Sequence, residues 1–205
     1  MHEPVDPKGM RSTSRRAFRA RALVFILLLL VGAGPALADS SDDRRALIML
    51  RVLAYDKQLG ARAGDVVRIV ILAPKGDDSE AARWRAAFAK MMKLKVDGRS
   101  LSIMTIEVDT ADGLARTFRE VRPAAIVACD GVTRRIGVED LAKLTRANHV
   151  LSFSTREWEV VRGVAVGVVP GKERDEIVVN LKAAVAEGVK FDAGLLQLAR
   201  TVGGS

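Results

Sequence analysis

The side chains that most often carry acid–base and nucleophilic chemistry are scarce in this chain. Of its two histidines, His2 sits at the extreme N-terminus, which leaves His149, and Cys129 is the one cysteine. One imidazole and one thiol do not make a zinc-type ligand set, and a single thiol closes no internal disulfide. His149 opens the apolar run His149–Phe153, and Cys129 closes the run Ala124–Cys129. Both positions predict structural roles, with Cys129 as a small buried hydrophobe. The sequence contains no G-x-S-x-G, H-E-x-x-H or Walker motif. A hydrolase needs a nucleophile and a base that this chain does not visibly offer, so the reading is non-catalytic and calls for no cofactor and no metal.

Two stretches remain where a ligand could sit. Ala73 to Glu80 follows an apolar run and opens a helix, where backbone N–H groups can hold an anion. Asp77, Asp78 and Glu80 already place three carboxylates there. They complement the helix dipole and repel a phosphate, so an ordinary acidic helix start is expected. The second stretch is distributed. In open α/β sheets, ligands bind beyond the carboxyl ends of the strands. Those ends carry Pro74 and Lys75, Asp130 and Gly131, and Ser154, Thr155 and Arg156. One acid, two bases and two hydroxyls make a speculative small-ligand crevice.

The elements that would position these residues are legible in turn. A helix is expected from Arg45 to Gln58, with Leu47, Leu50 and Ala54 inward. Val66 to Ala73 is nearly continuous apolar sequence, as for a strand covered on both faces. Ser79 can cap a helix to Lys93 with Ala81, Trp84, Phe88 and Met91 on one face. Leu101 to Val108 reads as a less central strand, and Thr110 can cap a helix that Pro123 stops. A strand at Ala124–Cys129, a helix at Val138–Ala147, a strand at His149–Phe153 and a short helix near Arg156–Val161 follow.

The C-terminal stretch has the clearest punctuation. Val164–Val169 and Glu176–Asn180 flank Pro170–Gly171 and predict an antiparallel hairpin. Asn180 can cap a helix whose Leu181, Ala184, Val185 and Gly188 share a face, and Gly188 ends it. Asp192 can cap a last helix carrying Leu195, Leu198, Ala199 and Val202 at helical spacing. Regular strand–helix alternation predicts a single-domain α/β layered sheet, mostly parallel, with a C-terminal antiparallel hairpin and helices on both faces.

Length and composition agree with one globular domain: 205 residues, 49% hydrophobic and 28% charged. Residues 1–38 read as a signal peptide. Arg11, Arg15, Arg16, Arg19 and Arg21 precede the apolar run Ala22–Ala33, and Ala36-Leu37-Ala38 is an A-x-A cleavage site that leaves Asp39 as the mature start. Ser14-Arg15-Arg16-Ala17-Phe18 also matches the twin-arginine pattern S-R-R-x-F, departing from it at Arg19 and Ala20. Either route crosses the inner membrane, which predicts a periplasmic protein with residues 39–205 as its domain. The leader carries six basic and two acidic residues, so removing it lowers the formal charge from +8 to about +4. The remaining charges are interspersed and form no basic stripe of the kind that binds nucleic acid.

Ile177-Val178-Val179-Asn180-Leu181, then Ala183-Ala184, Gly188, and Gly194-Leu195-Leu196-Gln197-Leu198-Ala199-Arg200 resemble the C-terminal signature of the YfiR/HmsC-like family. The resemblance runs over roughly residues 124–202, and its residues are mostly structural. It implies a periplasmic, non-enzymatic regulator that binds the periplasmic part of an inner-membrane sensor or diguanylate cyclase, lowering cyclic di-GMP and biofilm formation. It further implies a possible homodimer. This chain departs from the family pattern in having Cys129 alone, where better-known members carry several disulfide-bonded cysteines. Leu53–Gln58 also stands where those members usually have an aromatic segment ending Trp-Pro. A periplasmic small-ligand-binding module is the alternative reading.

Overall fold

The structure, a computed structural model, describes residues 41–203. The expected signal peptide, its cleavage site and the start at Asp39 lie outside the described residues. The run VVRIVILAP becomes β1 (Val66–Pro74), and its residues from Ile69 to Ala73 are fully buried. β1 pairs in parallel with β2 (Ser100–Val108) on one side and β3 (Ala125–Ala128) on the other. β4 (Leu151–Ser154) and β5 (Val166–Val169) extend the parallel set. β6 (Glu176–Asn180) then pairs antiparallel with β5, giving the expected hairpin. The seven strands run in the order β2-β1-β3-β4-β5-β6-β7, where β7 is Arg200–Val202.

This order explains why helices cover two faces. From β1 the chain steps outward to β2 through α3 (Ser79–Ala89) and returns across β1 to β3 through α4 (Ala111–Val121). Right-handed crossovers that travel in opposite directions lie on opposite faces of the sheet. α1 (Ser41–Ala54) packs beside α3, whereas α6 (Val138–Ala147) packs beside α4 and α8 (Leu181–Ala186). Short helices α2 (Leu59–Ala63), α5 (Val132–Ile136) and α7 (Glu157–Val161) fill the connections. Trp84 and Phe88 on α3 pack with ring centroids 6.0 Å apart, and Phe118 on α4 and Phe153 on β4 are equally enclosed.

Several expectations need correction. The helix predicted over Arg45–Gln58 is two helices, α1 and α2, and Ala54 faces outward. Asp56 causes the break: its Oδ1 accepts the N–H groups of Gln58 and Lys190 at 2.9 and 3.0 Å. A side chain that bonds the backbone two residues on offers a turn in place of the helix ladder. Ser79 does not cap α3, because Asp77 accepts the Ser79 amide and hydroxyl at 3.1 and 2.7 Å. His149 is not in a strand but in the turn before β4, with φ +54°.

The largest correction is at the C-terminus. α9 (Ala193–Leu198) ends early, and residues 200–202 form β7, parallel to β6 with Val179 opposite Thr201. Two β-branched residues gain a ladder there, and Val202 packs on Val160, Val169 and Val178. Leu198 is therefore 66% exposed rather than packed, and Val185 is 71% exposed. The rest of that motif behaves as expected. Asn180 accepts from the Ala183 amide at 3.0 Å, Gly188 adopts φ +77° and Leu195 is buried. Leu181 lies partly buried against the core.

Candidate functional site: the strand-end cluster

A strand order beginning β2-β1-β3 reverses direction between β1 and β3, and open sheets bind ligands at such a switch point. Pro74 and Lys75 leave β1 there, and Asp130 and Gly131 leave β3. Gly131 has φ +87°, and a methyl group added to it would meet the Pro74 ring at 3.2 Å, so the two loops touch. Arg156 follows β4 and reaches across: its Nη1 lies 3.5 Å from Asp130 Oδ1, and its Nη2 is 3.4 Å from the Ala128 carbonyl. Six of the seven predicted residues thus gather at one end of the sheet. Thr155, half-buried beside them, makes no side-chain hydrogen bond to the others among the described residues.

Their charges are already engaged. Lys75 Nζ donates to Asp109 at 2.8 Å, and that bond holds Asp109 below and Lys75 above their ordinary values. Arg135 bridges Asp109 and the Lys75 carbonyl, and Arg134 holds Asp130 at 2.8 Å. The acidic helix start joins in, since Glu80 accepts the Asp130 amide at 2.6 Å and the Trp84 indole N–H at 3.2 Å. A ligand here must exchange places with these pairs. The exposed ones cost little to open, because surface ion pairs are screened by water and salt.

Below the cluster lie two buried carboxylates that the sequence reading did not single out. Glu159 on α7 accepts from the Ser154 hydroxyl, from Thr133 Oγ1 at 2.5 Å and from Arg156 Nε at 2.9 Å. This locks Arg156 in its reach toward Asp130. Glu187, just after α8, accepts from the Ser152 hydroxyl at 2.6 Å and the Ser152 amide at 2.9 Å. Burial pushes its pKa up to about 7, against the opposing pull of those hydrogen bonds. Ser152 and Ser154 point to the same face of β4, and their i, i+2 spacing was the one signal for two polar partners behind an otherwise apolar strand. Cys129 is fully buried, and burial, with the Glu80 carboxylate adding to it, pushes its thiol up to about 12. It is packing, not a nucleophile.

The opposite end of the sheet holds a second concavity that sequence reasoning missed. Arg62, largely enclosed, ties three segments there. Nη1 donates to the carbonyls of Ala124 and His149 at 2.9 Å each, and Nη2 pairs with Asp56 at 2.7 Å. A groove of about 630 Å³ opens beside it.

Among curated proteins, none matches this sequence closely enough to count as a relative. Solved structures share the fold at low identity. One is an ABC domain from Streptococcus pneumonia in complex with L-Trp, at TM-score 0.52 and 15% identity over 74% of this chain and 60% of that one. Another is a conserved domain protein from Vibrio cholerae, at TM-score 0.55 and 13% identity over 78% and 59%. A third is the ligand-free, open form of a substrate-binding protein with adhesive properties from Clostridium difficile, at TM-score 0.52 and 9% identity over 73% and 58%. This chain spans about three fifths of each of them. The sequence itself matches a family model over residues 45–200, well beyond the C-terminal half that carried the resemblance. The chain belongs to the YfiR/HmsC-like family.

Proposed function

We propose that this chain is an exported, non-enzymatic regulator that binds the periplasmic part of an inner-membrane sensor or diguanylate cyclase and so modulates cyclic di-GMP signalling. The observation that carries the reading is the family match, which spans nearly the whole α/β unit. The surface supports a protein partner. β7 lies at the edge of the sheet and keeps one side of its backbone unpaired among the described residues. Leu198 precedes it, and Glu157 binds Arg200 at 3.0 Å, bringing α7 with exposed Trp158 and Val161 alongside. An open strand edge rimmed by apolar side chains is a surface that accepts another chain. Co-purification of the protein with detergent-solubilised membranes tests this. Recovery of a cyclase or sensor is expected with the wild type and reduced with Trp158→Ala/Leu198→Ser. If neither is recovered, the regulatory reading fails.

The alternative is a small-ligand module using Pro74, Lys75, Asp130, Gly131, Ser154, Thr155 and Arg156. The switch-point geometry favours it, and two of the structural neighbours are a domain holding L-Trp and a substrate-binding protein. Thermal shift against amino acids and small anions should then show stabilisation that Asp130→Ala abolishes. No shift with any of them would sink this reading.

A further inference from the structure

The groove at the N-terminal ends of β3 and β4 is lined by Gln58, Arg62, Arg119, Arg122, Asn148 and His149 over a floor that includes Phe118 and Pro123. Among the described residues, none that lines it is acidic. A second concavity of about 530 Å³ shares Arg119 and Arg122 with it and adds Arg68, with Glu120 as the single carboxylate among the described residues. Both volumes fall within the range of about 300–1,000 Å³ typical of small-ligand sites.

The distribution of partners separates this groove from the strand-end cluster. There, every cation is already matched by a carboxylate. Here, the side chains of Arg68, Arg119 and Arg122 make no hydrogen bond or ion pair among the described residues. Asp56, the acid nearest Arg62, is consumed by Arg62 and by two backbone amides. Arg62 itself, with its side chain 8% exposed, keeps a buried Nε–H that has no partner. A buried donor without an acceptor is costly, and it belongs to a residue that lines the groove. Two lining residues also hold left-handed backbone, Arg122 at φ +50° and His149 at φ +54°. Non-glycine residues pay for that conformation, and such outliers concentrate where ligands are held.

From these placements we propose that the groove binds a small organic anion of two or more charges, a di- or tricarboxylate or a phosphomonoester. One anionic group lies between Arg62 and Arg122, and the second reaches past Arg119 toward Arg68. Guanidinium forks recognise carboxylate and phosphate by paired N–H donors, and both chemistries present the oxygens this groove lacks. Gln58 and Asn148 supply neutral donors, and the apolar floor takes a short carbon skeleton. The site stands apart from the strand-end residues and from the β7 edge, so it holds whether or not the regulatory reading does.

Isothermal titration of the purified protein with succinate, citrate, glycerol 3-phosphate and inorganic phosphate tests the proposal, with glycerol as the neutral control. Saturable one-site binding of at least one organic anion is expected, weakening as salt is raised. The better of the carboxylate and phosphate arms names the source. Arg119→Gln/Arg122→Gln should weaken binding by at least about tenfold, since charge-assisted hydrogen bonds are lost. Arg68→Gln should weaken the organic anions while leaving inorganic phosphate unchanged. Arg44→Gln, a single charge removed from the exposed face of α1, should alter nothing. These arginines are at the surface, so the variants should fold, and circular dichroism verifies it. Failure of all four anions to saturate, retained affinity in the double variant, or equal weakening by Arg44→Gln overturns the site.

Discussion

Replacing Glu187 by Gln isolates one buried carboxyl. Glu187 is fully enclosed, its pKa is raised from 4.5 to about 7, and its two oxygens accept from the amide and hydroxyl of Ser152. In the folded chain it keeps its proton over a pH range where the unfolded chain has released it. Stability from this group is therefore complete below the unfolded value and is lost as pH rises through the folded one. A shift of this size corresponds to roughly 3 kcal/mol. The carboxamide introduced by Glu187→Gln keeps one oxygen to accept the Ser152 amide and can donate to the Ser152 hydroxyl, but it never ionises. Urea unfolding of wild type and Glu187→Gln, compared at about pH 5 and about pH 8, gives the readout. Near pH 5 the two should be similar. By pH 8 the variant should be the more stable by a margin approaching about 3 kcal/mol. Because other titrating groups are common to both proteins, a stability difference that stays constant across this range would refute the argument.

Arg62→Met leaves Asp56 buried without its cation and frees the carbonyls of Ala124 and His149. A loss of about 3–5 kcal/mol is expected, measured by the same denaturation, and a loss below about 1 kcal/mol would show the pair to be dispensable. Asn180→Ala removes the cap on Ala183 and the bond from its Nδ2 to the Val160 carbonyl, for a cost of about 2 kcal/mol in thermal unfolding. Gly167→Ala would place a methyl group 2.8 Å from Val160 Cγ2 on α7, and a lowered melting temperature should report the clash. Native Cys129 should resist a thiol reagent at mildly alkaline pH and react fully in denaturant, whereas rapid labelling of the folded protein would contradict its burial.

What the sequence made legible was local. β1 and β3 are runs of apolar residues long enough to need no partner to identify them, and Thr110, Asn180 and Asp192 cap helices because a short polar side chain meets free amides within three residues. The misreadings came from partners distant in sequence. Leu195, Leu198 and Val202 fit a helical stripe, yet β6 recruits residues 200–202 into a ladder that no periodicity encodes. Asp56 looks like one more surface acid until Lys190 is brought beside it. Glu159 and Glu187 sit in sequence among exposed charges and are buried only because β4 offers serines on that face. The predicted strand-end residues did converge, since strand ends are set by the alternation itself. The arginine groove did not announce itself, because Arg62, Arg68, Arg119 and Arg122 come from separate segments.

Asp56 has a further consequence in time rather than in space. Its carboxylate takes the Lys190 amide, Lys57 N–H donates to the Lys190 carbonyl at 2.9 Å, and Asp192 N–H donates to that of Tyr55 at 2.9 Å. The turn that ends the first helix is thus closed by a segment that leaves the ribosome 134 residues later. Contacts between residues so far apart carry the largest loop-closure cost and form late. Until then Asp56, the ion-pair partner of Arg62, is not held from that side, and the arginine groove has no wall at Gly188. A chain emerging N-terminus first therefore leaves this turn and the groove beside it open until residues 188–192 arrive.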